Sequence, residues 1–186
     1  MSPITVPAAA LVAVTTMGIQ PADRPEWGEP LLLLQMEKFR VSLGLDEQRA
    51  RAVSGAADEA EDADPASRRR RLAELLGEPQ LGRLEELRLQ HLGGGALFDP
   101  EVRERFGVDE QQVERIGAIR RSLQGELDQR LSQVRLASPE QRADFIARFW
   151  RESGGLLETL TDLQRQRFRQ AQGEPDPRIL KPVGSP

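Results

Sequence analysis

The single histidine, His91, is the natural place to look for proton chemistry, because an imidazole titrates near neutrality. Helical steps of three and four residues lead from Leu84 through Leu87 to His91, so the ring shares a largely apolar face bordered by Arg88. The chain has no cysteine and no second histidine. Neither a zinc site nor a histidine-based triad therefore has its partners, and a buried or rim histidine is the expectation. The acidic run Asp58, Glu59, Glu61, Asp62 and Asp64 could attract divalent cations. It lacks the glycine and ligand spacing of an EF-hand loop, and reads as a solvated helix end. Gly93-Gly94-Gly95 could wrap a phosphate, but no Lys-Ser/Thr pair follows it and no strand pattern precedes it; a helix stop is the simpler reading. Arg68, Arg69, Arg70 and Arg71 are adjacent, so they sweep around a helix instead of lining one face. The acidic run before them offers intramolecular pairing. With no nucleophile, metal or cofactor constellation, the chain is expected to be neither an enzyme nor a nucleic-acid binder, and to need no cofactor.

What does recur is a five-residue unit: an apolar or small residue, a cap residue, two variable residues, then usually Gln. It occurs as Leu45-Asp46-Glu47-Gln48-Arg49, Leu76-Gly77-Glu78-Pro79-Gln80, Val108-Asp109-Glu110-Gln111-Gln112, Ala137-Ser138-Pro139-Glu140-Gln141 and Leu160-Thr161-Asp162-Leu163-Gln164. Asp, Ser or Thr in second place can accept a hydrogen bond from an otherwise unpaired amide of the first helical turn. Gln three residues later can reach back to the amide of the cap residue and close a capping box, and the preceding apolar residue can staple onto the helix. The unit is first of all a set of helix starts. Its positions are Asp46, Gln80, Asp109, Gln112, Ser138, Gln141, Thr161 and Gln164.

These starts must belong to helices, and the rest of the sequence agrees. Apolar residues make up 38% of the chain, charged residues 30% and aromatics only 4%, with Leu, Glu, Gln, Arg and Ala abundant. The expected class is all-α: a multi-helix arrangement of antiparallel hairpins with repeated capped starts. Helices are expected over 31–43, 46–63, 66–76, 78–92 and from Asp99-Pro100 to about 106. The longest runs from 109 to 136, with Val113, Ile116, Ile119, Leu123, Leu127, Leu131 and Val134 at helical spacing, over about 40 Å. Two more follow, from Ser138-Pro139 and from Thr161 to Gln172. The hairpins are expected to pack around the 109–136 helix. Phe39, Leu84, Leu87, Ile116, Ile119, Leu123, Leu127, Phe145, Phe149, Trp150 and Phe168 should point inward. Residues 1–29 read as a leader and linker, 31–172 as the helical domain, and 173–186, rich in Pro, as a disordered tail. Ala8 to Met17 is too short to span a membrane but could form the core of a signal peptide, with a cytoplasmic location as the alternative.

Leu160-Thr161-Asp162-Leu163-Gln164 is a literal LTxxQ, and with the other four starts it resembles the LTxxQ family of bacterial envelope-stress proteins, typified by Spy and CpxP. The likeness covers roughly residues 31–176. It extends to a wider set of secreted helical proteins with a leader, a Leu-rich helix (here Leu31-Leu32-Leu33-Leu34-Gln35) and several such helix starts. This chain departs in keeping the full motif once and in its net charge of −4. The resemblance implies a periplasmic or secreted, non-catalytic protein that binds other proteins, chaperone-like or stress-sensing, without membrane insertion and with a homodimer compatible. The alternative is a structural or regulatory module that docks on one specific partner. Arginines opposite the core, Arg121, Arg130, Arg135 and Arg142, are the expected protein-binding surface, since guanidinium groups pair with carboxylates and stack on aromatics.

Overall fold

A computed structural model describes residues 30–59, 65–134, 138–153 and 155–181. The leader expected over 1–29, Arg135, and Glu61, Asp62 and Asp64 of the acidic run lie outside these residues. Among the described residues there are ten α-helices and no strand, so the class is all-α. They are α1 (Pro30–Gln35), α2 (Glu37–Ser42), α3 (Glu47–Glu59), α4 (Pro65–Leu76), α5 (Glu78–Leu92), α6 (Pro100–Arg105), α7 (Glu110–Gln133), α8 (Pro139–Glu152), α9 (Asp162–Ala171) and α10 (Pro177–Leu180). A 3-10 segment, Gly93–Phe98, continues directly from α5, and a 3-10 turn, Leu157–Thr159, precedes α9. No described helix is long and apolar enough to cross a membrane.

The first helix expected over 31–43 is in fact two. Met36 adopts an extended conformation, with ψ 127°, and separates α1 from α2. The break is stabilised from within: the Arg40 guanidinium donates to the carbonyls of Leu34, at 3.3 Å, and Gln35, capping the end of α1. Unpaired carbonyls at a helix C-terminus are thereby satisfied without leaving the core.

Two apolar clusters meet along α5 and α8. One gathers Leu33, Leu34, Met36 and Phe39 with Leu72, Leu76, Leu81, Leu84 and Leu87, and takes in Ala143 of α8 and Ile179 of α10. The other holds Leu89 and Leu92, the 3-10 segment, Ile146 to Trp150 of α8, and Phe168 of α9. Phe98 and Trp150 meet edge-on at 4.7 Å, and Phe106 lies 5.1 Å from Phe168. The middle of the molecule is thus α5, the 3-10 segment and α8. This corrects the expectation that hairpins pack around the 109–136 helix. α7 lies along one side, burying Ile116 and Leu127, and about 36 Å of helix follows from its 24 residues. Ile119, Leu123 and Phe145 pack only partly against the core, and Val134 is 40% exposed. The apolar spacing was right, but one helix face was too wide for the core available to it. The remaining expected core residues, Phe39, Leu84, Leu87, Ile116, Leu127, Phe149, Trp150 and Phe168, are buried.

The triple glycine does end α5, but not in solvent. All six residues of the 3-10 segment are buried. Gly93 has φ 52°, and a Cβ there would come within 2.8 Å of the Arg151 side chain. A Cβ on Gly94 would lie 2.8 Å from the Cβ of Leu156. Glycine is needed so that the backbone itself can touch its neighbours. A second correction concerns the chain's end. The tail expected to be disordered from Gly173 is structured through 181, with Ile179 fully buried.

These placements set an order of sensitivity. Leu84→Ala is expected to cost about 2–5 kcal/mol, as large-to-small changes in a filled core do. Leu123→Ala, on the half-covered side of α7, should cost roughly 1 kcal/mol. Denaturant unfolding measures both; equal losses would put α7 back at the centre. Gly94→Ala is expected to cost about 1–3 kcal/mol by overpacking, read in the same experiment.

Candidate functional site

Most of the helix starts read from the sequence are side-chain caps. Asp46 Oδ1 accepts from the Arg49 amide at 2.7 Å, Asp109 Oδ1 from Gln112 at 2.8 Å, Ser138 Oγ from Gln141 at 3.3 Å and Thr161 Oγ1 from Gln164 at 3.3 Å. Two of them close into full capping boxes: Gln112 Oε1 accepts from the Asp109 amide at 2.9 Å, and Gln164 Oε1 from the Thr161 amide at 2.8 Å. Gln80 does not close one. Its cap residue, Gly77, has no side chain, and the Gly77 amide already donates to Ala73 O at 2.9 Å. Gln80 Nε2 instead donates to Leu43 O at 3.1 Å, tying the start of α5 to the end of α2.

The two complete boxes face each other. Gln112 Nε2 donates to Thr159 O at 2.8 Å and to Gln164 Oε1 at 2.7 Å. Gln164 Nε2 donates to Gly107 O at 2.7 Å and to Gln112 Oε1 at 3.2 Å. Thr159 and Gly107 each stand two residues before the other box's cap, so the arrangement is reciprocal. Each glutamine closes its own helix start with its oxygen and clamps the other's approach with its nitrogen. Gln112 is 2% exposed and its bond to Thr159 O forms away from competing water, whereas the Gln164 bond to Gly107 O lies at the surface. The repeat was legible as capping; that two copies would meet was not, because nothing local encodes a contact 52 residues apart.

A second polar group lies where the two apolar clusters meet. Lys38 of α2 and Asp144 of α8 form an ion pair at 2.5 Å. His91 of α5, fully buried, points Nδ1 toward the same carboxylate at 3.8 Å, and the Phe39 ring stands edge-on to it at 5.3 Å. Neither ring nitrogen makes a hydrogen bond of good geometry within the protein. Burial first, then the Lys38 charge, push the His91 pKa down from 6.5 to about 3, so the ring is neutral at ordinary pH. Burial also lowers the Lys38 pKa, against the opposing pull of Asp144. The face of His91 was readable; Lys38 and Asp144 were not, since they stand 106 residues apart. A histidine held neutral and closed off in this way is poorly placed to exchange protons with a substrate.

Buried cations also serve the backbone. Arg88, which borders the histidine face in sequence, pairs with Asp99 at 2.5 Å while Asp99 caps α6. Arg103 donates to Leu97 O at 3.1 Å and Phe98 O at 2.9 Å, and Arg151 donates to His91 O at 2.8 Å. Of the expected binding arginines, Arg121, Arg130 and Arg142 are exposed. Arg130 is also engaged, bonded to Glu126 at 2.6 Å with its guanidinium 5.4 Å from the Phe149 ring centre. A cleft of about 510 Å³ opens between α5, α6 and α9, but two of its lining carboxylates are paired, Glu86 with Arg83 at 2.6 Å and Glu85 with Arg88 at 3.5 Å. Among the described residues no three potential metal ligands come together.

Comparison with protein-family models, with curated proteins and with solved structures finds no match to this chain.

The interlock has a thermodynamic signature. In a double-mutant cycle, Gln112→Ala and Gln164→Ala are expected to be coupled by about 0.5–3 kcal/mol, as for groups in one hydrogen-bond network. Additive losses would mean that each glutamine serves its own helix alone.

Proposed function

We propose that this is a non-catalytic protein-binding module of the bacterial envelope, chaperone-like or stress-sensing, using the half-covered side of α7 and the start of α8 as its contact surface. The observation that carries the reading is the incomplete cover of α7. Leu123 and Leu131 are only partly buried and Val134 is exposed, although all three keep the helical apolar spacing. Exposed Arg121 and Arg130 belong to the same helix, and Arg142 to the next. A partner segment carrying carboxylates and apolar side chains meets both needs: it covers the apolar strip and answers the guanidinium charges. The LTxxQ resemblance supports the same reading, and the facing capping boxes give the motif a structural task that leaves the outer surface free for binding. Export rests on the apolar stretch from Ala8 to Met17. A module that docks on one fixed partner would use the apolar strip more than the arginines.

The two uses of the surface separate by salt. Suppression of aggregation of several unrelated denatured proteins is expected to weaken as ionic strength rises to about 0.5 M, where the Debye length is a few ångströms. Arg121→Glu with Arg142→Glu should weaken it at low salt without changing the melting temperature. Retrieval of one stoichiometric partner, with binding indifferent to salt and no suppression of aggregation, would replace the chaperone-like reading with fixed docking.

A further inference from the structure

The segment 173–181 is fastened across the junction of the two apolar clusters, and its fastenings are polar. Gln90 Nε2 donates to Gln172 O at 2.6 Å and Glu174 O at 2.8 Å, while Gln90 Oε1 accepts from the Asp176 amide at 2.9 Å. Lys38 Nζ donates to Ile179 O at 3.1 Å and Lys181 O at 3.2 Å, in addition to its bond with Asp144. Between these two anchors Ile179 inserts into the core. His91 follows Gln90 directly and lies against the Ile179 backbone.

We propose that segment 173–181 is an acid-released strap whose trigger is the His91 ring. The charges around that ring leave no room for another. From α2 it meets Lys38, and from α8 Arg151 and the Asp144 carboxylate. Asp144 is already bonded to Lys38, and Arg148 of α8 adds a further positive charge toward Lys38. α10 presents only the Ile179 carbonyl to the ring. Neither α1 (PLLLLQ) nor the 3-10 segment (GGGALF) carries a titratable side chain. A proton on His91 would set a third cation, itself fully buried, beside Lys38 and Arg151, with only the Asp144 carboxylate, already bonded to Lys38, to answer it. Glu152 acts on Arg151 and not on the ring. Lifting a short segment held by one buried side chain and a few polar bonds admits water at far smaller cost than moving α5, which both clusters grip. The direction follows from linkage. The strapped state holds the ring neutral, with a pKa near 3 against the ordinary 6.5. The strap is therefore fully favoured above about pH 6.5, and its opening rises by up to about tenfold per pH unit below that. The rise ends near pH 3, where strapped and open states are both protonated.

Hydrogen exchange on the full chain, corrected for the intrinsic rate at each pH, reads the opening. Protection of the Asp176 and Ile179 amides is expected to fall by about thirtyfold from pH 7.5 to pH 5.0, while amides in the middle of α5 keep theirs. His91→Phe should remove the pH dependence. Lys38→Met frees Asp144 to answer the imidazolium, and should shrink the ratio between the two pH values even if the strap is looser throughout. His91 is the only histidine, so its NMR titration is unambiguous: no protonation near pH 6.5 is expected while the strap is closed. Equal protection at both pH values, an undiminished fall in His91→Phe, or loss of α5 protection together with the strap would each overturn the proposal.

Discussion

The constraint on which the rest depends is the satisfaction of helix ends. A helix leaves four amides and four carbonyls without internal partners, whatever its length. A chain divided into many short helices therefore carries much of its backbone at such ends, and here several of those ends are in the core. Amide ends are met by Asp, Ser and Thr caps. Carbonyl ends are met by cations drawn inside: Arg40 for α1, Arg151 for the end of α5, Arg103 for the 3-10 segment and Lys38 for α10. A long charged side chain can do this because its aliphatic stem packs with the core while its head binds the carbonyl. The abundance of arginine thus has a structural use that is distinct from any surface role.

What could be read in the sequence was what local chemistry determines. The caps at Asp46, Asp109, Ser138 and Thr161 follow from the preference of short oxygen-bearing side chains for the first turn, and so does the start of α7 at Glu110. Gln80 failed as a cap because whether an amide needs a partner depends on the preceding helix, and α4 runs close enough to supply one. The division between α1 and α2 was missed for a similar reason: Met36 looks like helix, and only Arg40 reaching back makes a break there stable. The centre of the molecule was misplaced because periodicity reports that a face is apolar, not how much of it finds cover. α7 has the longest apolar pattern but lies at the side, while the glycines of the 3-10 segment, with no side chains to signal burial, lie at the heart. Of the polar cluster, only His91 was visible.

The interlocked boxes link this architecture to the proposed binding role. They fix the N-terminal end of α7 against α9 through reciprocal hydrogen bonds, of which the one from Gln112 to Thr159 O is buried. The distal half is steadied differently, by Leu127 and by Arg130 stacked on Phe149. A contact surface with one end anchored by directional bonds and the other by adaptable stacking can hold its position while its side chains adjust to varied partners. The repeated motif acts at a distance from the surface it steadies.

Ile179 has a consequence for the order of events during synthesis. The hollow it fills is lined by residues made well before it, and its carbonyl is bonded by Lys38, 141 positions upstream. A growing chain emerges from the ribosome N-terminus first, so the apolar sides of α1, α2 and α5 are present, facing water, long before their last neighbour exists. The N-terminal cluster cannot close by itself, however favourable its local helices. Completion waits on α10, so the nascent polypeptide keeps this apolar surface uncovered at least until Ile179 has left the ribosome.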